Sequence, residues 1–450
     1  MGLNFDTMIL QHIFLQILLQ TPVPHDLPLP LPLPHGVLVF ALVFSFLLHI
    51  IFINLMLGGS LLTLWSEIKG LKNPEYDKLA YEIAQTITVN KSMAVVLGVA
   101  PLLTINTLYT LYFYSANALT GLFWIAIIPL TTLAFLLTYA HKYSWNVLKD
   151  NKALHISMIA ASVAIFLFIP FIFLTNINLM LFPEKWNTIS GFFEALALPN
   201  VFPRYLHFIF ASLGVTGLFI FWYFGRKSFA FEEKFQSLSL YEIRKKAYSL
   251  TFSASVAQFL IGPIVLLTLP TKGISWQLIL TILTGAAFAI PALCWIWKAI
   301  TGQAEKIADN FWKVTLLLTT TVIFMGSGRH LYRATALEPH QKLVAKETAK
   351  YQKEVQQAIK DANNPNKKPV VADAGEAVFT AKCSACHALD TKIVGPPVTE
   401  MVSIYEKDEK GLHDWIRKPG KKRTDYPQMP ALGLSEQEIK DVATYILKQK

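Results

Sequence analysis

The stretch GVLVFALVFSFLLHIIFINLMLGGSLLTLW at residues 36–65 decides the class of this protein. It contains a single ionisable side chain, His49, in 30 residues. The hydrocarbon core of a bilayer requires only about 20 consecutive apolar residues in a helix. The stretch therefore predicts a transmembrane helix.

The whole chain has the composition of an integral membrane protein. Of its 450 residues, 53% are hydrophobic and 16% are charged, against about 25% charged residues in soluble proteins. The net charge of +10 does not indicate a nucleic-acid partner, because most of the excess lies in loops between apolar runs. The three cysteines allow no disulfide framework beyond one pair, and we expect Cys294 to be a small buried side chain.

The apolar runs predict an all-α fold, a polytopic bundle of about eight transmembrane helices spanning residues 36–335. Each run is near or above the length that a bilayer core requires. The predicted spans are residues 36–65, 91–115, 118–140, 154–182, 204–225, 249–270, 275–299 and 311–335.

Residues 1–35 precede the bundle. The run TMILQHIFLQILLQ at 7–20 is too short for a span and predicts an interfacial helix. The proline-rich segment that follows predicts an extended chain. The first residues lack the basic side chains and the small-residue cleavage site of a signal peptide.

The lysine and arginine residues between the spans predict the topology, because such residues favour the cytoplasmic side. The loops after spans one, three, five and seven hold most of them: Lys69, Lys72, Lys78, Lys142, Lys149, Lys152, Arg226, Lys227, Lys234, Arg244, Lys245, Lys246 and Lys306. The other short loops hold little beyond Lys185, Arg204 and Lys272. This bias places both termini outside the cytoplasm.

Two further segments follow the bundle. Residues 336–372 form a charged linker, in which KLVAKETAKYQKEVQQAIKDA predicts a solvated helix because no apolar stripe persists. The stretch NNPNKKP ends that helix. Residues 373–450 remain as a small separate domain.

The small domain contains the motif CSACH, which has the C-x-x-C-H spacing of covalent c-type haem attachment. Cys383 and Cys386 are predicted to form thioethers with the haem vinyl groups, and His387 to ligate the iron from the same side. A zinc site is the alternative, but it needs two further ligands. The domain offers only His413 and no third cysteine.

A thioether on a later loop is the common sixth ligand of such a haem. Met429, in TDYPQMPAL, is the predicted ligand, and Met401 is its rival. The domain resembles a class I cytochrome c, with the haem motif near its start, GPP shortly afterwards and MP near its end. That resemblance implies one covalent haem c on the outer face of a bacterial inner membrane, with both termini in the periplasm.

Four histidines fall in the outer half of the predicted bundle, on the same side as the haem motif. They are His35, His49, His207 and His330, whereas His141 and His155 fall at the inner edge. Ionisable groups inside a bilayer are candidates for function. Four imidazoles in one leaflet favour haem ligation, and the alternative is a satisfied core or interfacial histidine.

Three arginines accompany these histidines. Arg329 and Arg333 flank His330, and Arg204 lies near His207. Guanidinium groups at this depth can pair with haem propionates. The alternative is that they extend to the interface as snorkelling side chains.

Three stretches resemble subunit I of the cytochrome bd-type oxidase superfamily, in the same order over roughly residues 36–335. They are HIIFINLMLGG at 49–59, PRYLHFIFASLGVTGLFIFWYFGRKSFA at 203–230 and FMGSGRHLYR at 324–333. The resemblance implies that His49 ligates a high-spin, oxygen-reactive haem and His207 a low-spin haem b. It also implies two or more haem b groups and a second membrane subunit.

The chain departs from that family at several of its functional positions. Gly326 stands where the family has a glutamate ligand, and His330 replaces a glutamine and can serve instead. Leu97 and Ile105 stand where the family has two membrane glutamates linked to proton delivery. The seventh-span methionine ligand is also missing from WQLILTILTG at 276–285.

The long quinol-binding loop of the family is reduced to PTKGIS at 270–275, and the ninth span is replaced by the linker and the small domain. The resemblance therefore implies a c-type electron donor or acceptor in place of quinol. Divergent branches of the superfamily carry a cytochrome c domain, and this chain looks like one of them.

Three functional hypotheses follow. The first is a membrane-bound multihaem cytochrome that passes electrons between the outer c-type haem and b-type haems, as part of a bd-like complex. The second is a terminal oxidase that reduces O2 at a haem on His49, which makes enzymatic activity an open question. The third is a membrane-anchored cytochrome c with no haem in the bundle. No nucleic-acid partner is expected.

Overall fold

A computed structural model describes residues 31–362 and 374–449, apart from Lys422 and Thr424. The predicted interfacial helix at 7–20, most of the proline-rich segment and the end of the charged linker lie outside these residues. Every regular element in the described ranges is a helix, which confirms the predicted all-α class.

The chain divides into two compact units, Met1–Ala349 and Lys350–Lys450. The α-helices of the first unit are α1 (His35–Gly70), α2 (Pro74–Leu108), α3 (Thr110–Thr120), α4 (Leu122–Tyr143), α5 (Lys152–Leu179), α6 (Phe192–Leu196), α7 (Val201–Phe224), α8 (Phe231–Lys234), α9 (Leu240–Thr268), α10 (Trp276–Thr301) and α11 (Phe311–Ala362). Helix α11 extends past the boundary between the units.

Seven of the described helices are long and apolar enough to cross a membrane, and α2 with α3 adds an eighth if the bent pair counts as one span. Large apolar side chains on these helices are exposed, for example Leu267 at 82% and Leu122 at 78%. Such a surface is typical of a membrane interaction. The protein is therefore a multi-pass membrane protein. Cys294 was expected to be buried, but it lies on the exposed surface of α10.

The structure differs from the predicted second span at residues 91–115. Helix α2 ends at Leu108, and α3 leaves it at an angle of 111°. The bend occurs at Tyr109, whose ring is buried and lies under the guanidinium of Arg333 at 5.5 Å. This packing joins residues far apart in the chain, so local hydropathy does not reveal it.

The predicted eighth span and charged linker also form one helix. Helix α11 continues through Pro339 to Ala362 without a break. Its 52 residues correspond to a length of about 78 Å. A bilayer core accommodates about 20 of them, so the charged second half of α11 lies outside it.

The interface between α1 and α7 shows how the bundle is held together. Ser212 donates a hydrogen bond from its hydroxyl to the side-chain oxygen of Asn54 at 3.0 Å. Thr216 donates to the backbone oxygen of Asn54 at 3.2 Å. Small and hydroxyl-bearing residues are favoured between transmembrane helices, because apolar side chains gain little by leaving lipid.

The bundle has two distinct ends. One end holds Lys78, Lys152 and Lys234, which pair with Glu75, Asp77 and Glu82 of α2, and we call it the lysine-rich end. There the carboxylate of Glu75 accepts hydrogen bonds from the backbone amides of Gln236 and Ser237. At the opposite end, Tyr332 donates to the backbone oxygen of Pro270 at 2.9 Å. Helix α1 runs from the opposite end, where it begins at His35, to the lysine-rich end, where it ends at Gly70.

The second unit contains α12 (Ala374–Lys382), α13 (Val398–Tyr405), α14 (Glu409–Arg417) and α15 (Glu436–Lys448). Helices α12 and α15 pack together through the rings of Phe379 and Tyr445, whose centroids are 5.4 Å apart. Helix α15 begins with a capping box, in which Ser435 and Glu438 exchange hydrogen bonds.

Candidate functional site

The CSACH motif of the second unit begins at the end of α12. The backbone amide of Cys383 donates to Phe379 at 2.8 Å, and that of His387 donates to Cys383 at 3.0 Å. The motif therefore continues as a helical turn, which places the two thiols and the imidazole close together. Cys383 is buried, and this burial raises the pKa of its thiol.

The imidazole of His387 is held in one orientation. Its Nδ1 atom lies 2.8 Å from the backbone oxygen of Pro396, to which it donates. Gly395 packs against the ring, since a β-carbon there would lie 2.4 Å from Cε1. A histidine that ligates a metal typically donates its other ring N–H to such an acceptor. This contact leaves Nε2 of His387 available as a ligand, and the residues present suit haem c.

The two methionines of this unit have different environments. Met401 lies on α13 and packs against the apolar core that includes Phe379 and Val442. Met429 is half-buried in an irregular segment, and its amide donates to Gly420 at 3.2 Å. Met401 is therefore a core residue. The Met429 thioether is the better candidate for the second axial ligand.

The bundle contains an imidazole held in the same manner. Nδ1 of His49 lies 2.9 Å from the backbone oxygen of Ala94 on α2. Gly98, one turn further along α2, packs against the ring, since a β-carbon there would lie 2.8 Å from Cε1 of His49. As in His387, the carbonyl and the glycine hold the ring and leave Nε2 available as a ligand.

The three predicted arginines lie close enough to repel one another. Arg333 is 6% exposed, and the guanidinium of Arg329 lies 4.7 Å from the ring of Phe46. Within the described part of the chain, no ion pair joins Arg204, Arg329 or Arg333 to a carboxylate. Of these clustered cations one is buried and two are half-buried, and such a group favours an anion beside it.

Two buried nitrogen atoms in or next to this cluster have no hydrogen-bond partner among the residues that the structure describes. They are Nε of Arg329 and Nδ1 of His330. Buried polar atoms are nearly always paired in folded proteins. An unpaired guanidinium nitrogen suits a carboxylate, and an unpaired imidazole nitrogen suits a metal ion. Haem b carries both carboxylates and iron, so these atoms fit a haem b site.

The remaining predicted ligands occupy different positions. His207 is half-buried on α7, less than one turn from Arg204, and His35 is exposed at the start of α1. Both α7 and α11 contact α1, through Ser212 and Asn54 in one case and through Gly326 and Leu47 in the other. The helices that carry His207 and His330 are thus both neighbours of the helix that carries His49.

One cluster of ionisable side chains was not anticipated from the sequence. Glu67 of α1, His141 of α4 and His155 of α5 meet at the lysine-rich end, and all three are buried. The sequence contained a signal for it, because Glu67 is the one acidic residue of α1. The sequence predicts that the two histidines lie at the same inner edge, but no sequence pattern pairs them with Glu67.

Comparison with known proteins identifies the second unit. A sequence model of the family Cytochrome c matches residues 372–450. The chain is 37% identical to cytochrome c-551 of Stutzerimonas stutzeri over 18% of this chain and 83% of that protein. It is 38% identical to cytochrome c6 of Petalonia fascia over 17% of this chain and 88% of that protein.

The match also extends over the full length of a third relative. The chain is 32% identical to cytochrome c-551 of Azotobacter vinelandii over 17% of this chain and 100% of that protein. A domain of this kind carries haem c and functions in electron transfer with redox partners. Through its C-terminal domain, the chain belongs to the cytochrome c family.

Proposed function

We propose that the protein is a membrane-bound multihaem cytochrome, which passes electrons between haem c in its C-terminal domain and haem b groups in its bundle. Haem supplies the redox chemistry, while the protein supplies ligands, orientation and dielectric. In this proposal the transmembrane bundle comprises residues 36–335. Residues 336–372 are the linker, and residues 373–450 are the cytochrome c domain.

The arrangement around His49 carries this proposal. The backbone oxygen of Ala94 and the close approach of Gly98 hold its imidazole as Pro396 and Gly395 hold His387. His387 is the haem ligand of a cytochrome c motif. A histidine that merely fills a core needs no such constraint, so the shared environment favours iron ligation by His49.

The arginine cluster supports the same proposal. A haem presents two propionate carboxylates, and guanidinium groups bind carboxylates strongly when both are removed from water. Arg204, Arg329 and Arg333 supply these cations, and the unpaired Nδ1 of His330 supplies a further ligand atom. We propose His207 and His330 as axial ligands of haem b, and His35 as a less central ligand at the rim.

The topology of the proposal follows from charge. Lysine and arginine favour the cytoplasmic side, so the lysine-rich end faces the cytoplasm and both termini face the periplasm of a bacterial inner membrane. His49 then lies in the outer half of α1. Resemblance to the bd superfamily supports the proposal of a second membrane subunit and of a role in a bd-like oxidoreductase complex.

The purified protein tests the proposal through its pyridine haemochrome spectrum, which distinguishes haem b from haem c. We expect both haems, with a haem b to haem c ratio that falls in His49→Ala and in His207→Ala. His413→Ala is the matched control, because that imidazole lies on α14 outside the bundle. A spectrum with haem c alone would show that the bundle only anchors a cytochrome c.

A further inference from the structure

The cluster at the lysine-rich end joins one carboxylate to two imidazoles. Nε2 of His141 lies 2.7 Å from one carboxylate oxygen of Glu67, and Nδ1 of His155 contacts the other oxygen. Nε2 of His155 lies 2.8 Å from the backbone oxygen of His141. The centroids of the two imidazole rings are 4.1 Å apart.

Hydrogen-bond accounting shows that this cluster needs one additional proton. A neutral imidazole has one N–H group, and a backbone oxygen can only accept a hydrogen bond. His155 must therefore carry its N–H on Nε2, which leaves a lone pair on Nδ1 facing the Glu67 carboxylate. Two acceptors in contact repel each other unless a proton lies between them. His141 satisfies its own contact with Glu67 as a neutral donor.

A proton fits this site better than a metal ion. Zinc bonds to nitrogen and oxygen of about 2.0–2.2 Å at tetrahedral angles separate the two ligand atoms by about 3.3 Å. The 2.7 Å between His141 and Glu67 is instead a hydrogen-bond length. The ammonium of Lys152 also lies 3.5 Å from the Glu67 carboxylate and would repel a divalent cation.

The charges around the cluster balance when one proton is bound. Lys152 of α5 pairs with Asp77 of α2 at 2.6 Å. With Glu67 and Asp77 ionised and Lys152 protonated, the net charge is −1, and one bound proton brings it to zero. A buried cluster in a medium of low dielectric constant favours the neutral state. Trp145 covers the imidazoles, with its ring centroid 4.7 Å from that of His155.

The cluster also has a connection to water. An open cleft is lined by Asp77, Lys78, Glu82, Trp145 and Lys234. Asp77 and Trp145 belong to the immediate surroundings of the cluster, so they separate the buried groups from the cleft. The ammonium of Lys152 contacts the Asp77 carboxylate at 2.6 Å and the Glu67 carboxylate at 3.5 Å, so this pair links the cleft to the cluster.

We propose that Glu67, His141 and His155 form a buried proton-binding site, which takes its proton from the aqueous phase at the lysine-rich end. Glu67 lies 18 residues after His49 on α1, which is about 27 Å along the helix axis. The site thus gives the bundle an acid–base group far from its candidate haem ligand. The proton site does not depend on haem in the bundle.

The experiment uses the full-length protein in lipid nanodiscs, labelled with 15N-histidine, and nuclear magnetic resonance of the ring nitrogens at pH 8. Unpaired histidines are neutral at that pH, since their ordinary pKa is about 6.5. We expect one imidazolium with both nitrogens protonated, and its loss in Glu67→Gln. Glu75→Gln is the matched control, because that carboxylate lies at the same end and accepts from Gln236 and Ser237 instead.

Several outcomes would overturn the proposal. They are a native protein with only neutral imidazoles at pH 8, an imidazolium that persists in Glu67→Gln, or a stoichiometric metal ion that is lost in His155→Gln. Size-exclusion chromatography and circular dichroism of each variant report whether its bundle is folded, because haem c lies in the second unit. If Glu67→Gln does not fold, the native spectrum and the metal content of the native protein still decide the question.

Discussion

Gly98 lies directly against the imidazole of His49, so closely that a β-carbon at Gly98 would come within 2.8 Å of Cε1 and 3.1 Å of Nδ1. The same ring donates to Ala94, one turn earlier on α2. Helix α2 therefore determines both the position and the rotation of an imidazole that belongs to α1. Such control is useful where a ring must present one nitrogen atom in a fixed direction.

Gly98→Val tests this relationship without removing the imidazole. The larger side chain must displace the His49 ring, so we expect the haem ligated by His49 to be lost. The protein should then contain about one haem b fewer per haem c. The reduced-minus-oxidised spectrum measures the loss. Gly262→Ala is the control, because no atom lies within 4 Å of a β-carbon at that position. An unchanged ratio in Gly98→Val would contradict the assignment of His49.

Met429→His is predicted to lower the reduction potential of haem c. A methionine ligand raises the potential of a cytochrome c, and axial ligands shift haem potentials over a range of about 0.8 V. We expect a decrease on the order of 100 mV or more in a potentiometric titration of the c-type absorbance band.

Met401→Leu provides the comparison for that measurement. Met401 packs in the core of the second unit, and leucine fills a similar volume, so its replacement should change stability by less than about 1.5 kcal/mol. The potential should stay the same. A large shift in Met401→Leu with none in Met429→His would reverse the assignment of the two thioethers.

The spans could be predicted from the sequence because length and apolarity are local properties. The bend at Tyr109 and the unbroken course of α11 through Pro339 could not. The first depends on a contact with Arg333, more than two hundred residues away along the chain. The second could not be predicted because an internal proline such as Pro339 usually kinks or breaks a helix, whereas α11 continues past it.

The site shows the same division between local and distant information. His49 was a candidate because of its depth in an apolar span, but its partner Ala94 lies on another helix, 45 residues away. Glu67 contacts imidazoles that follow it by 74 and 88 residues. No pattern in the sequence pairs these side chains, since only the packing of α1, α4 and α5 brings them together.

Arg333→Gln tests whether the arginine cluster holds an anionic cofactor. Two unit charges about 8 Å apart interact with about 2 kcal/mol at an effective dielectric constant of 20, which corresponds to roughly 90 mV. Loss of this cation disfavours the added electron, so we expect the haem b potential to fall by about that amount. Arg333→Lys should retain most of the native potential.

The control for the arginine experiment lies at the other end of the bundle. Arg226 stacks on the ring of Tyr223 at 4.1 Å, and Arg226→Gln removes an equal charge far from the candidate ligands. Its haem b potential should match that of the native protein. Equal shifts in Arg226→Gln and Arg333→Gln would indicate a general effect of net charge and would contradict a local role for Arg333.

The last prediction concerns the acid stability of the cytochrome c domain. The backbone amide of Ser435 and the ammonium of Lys382 both bind the Glu438 carboxylate, at 2.8 Å and 2.9 Å, and they lower its pKa to about 2. A depressed pKa contributes stability above the ordinary value of 4.5, and this contribution is lost as the pH falls towards 2.

We expect Glu438→Gln to be less stable than the native protein at pH 7 and to lose less stability between pH 4.5 and 2. Chemical denaturation followed by the haem c absorbance measures both effects, with Glu376→Gln as the control because that carboxylate is exposed on α12. Equal acid sensitivity in the native protein and Glu438→Gln would show that the capping box of α15 does not couple folding to protonation.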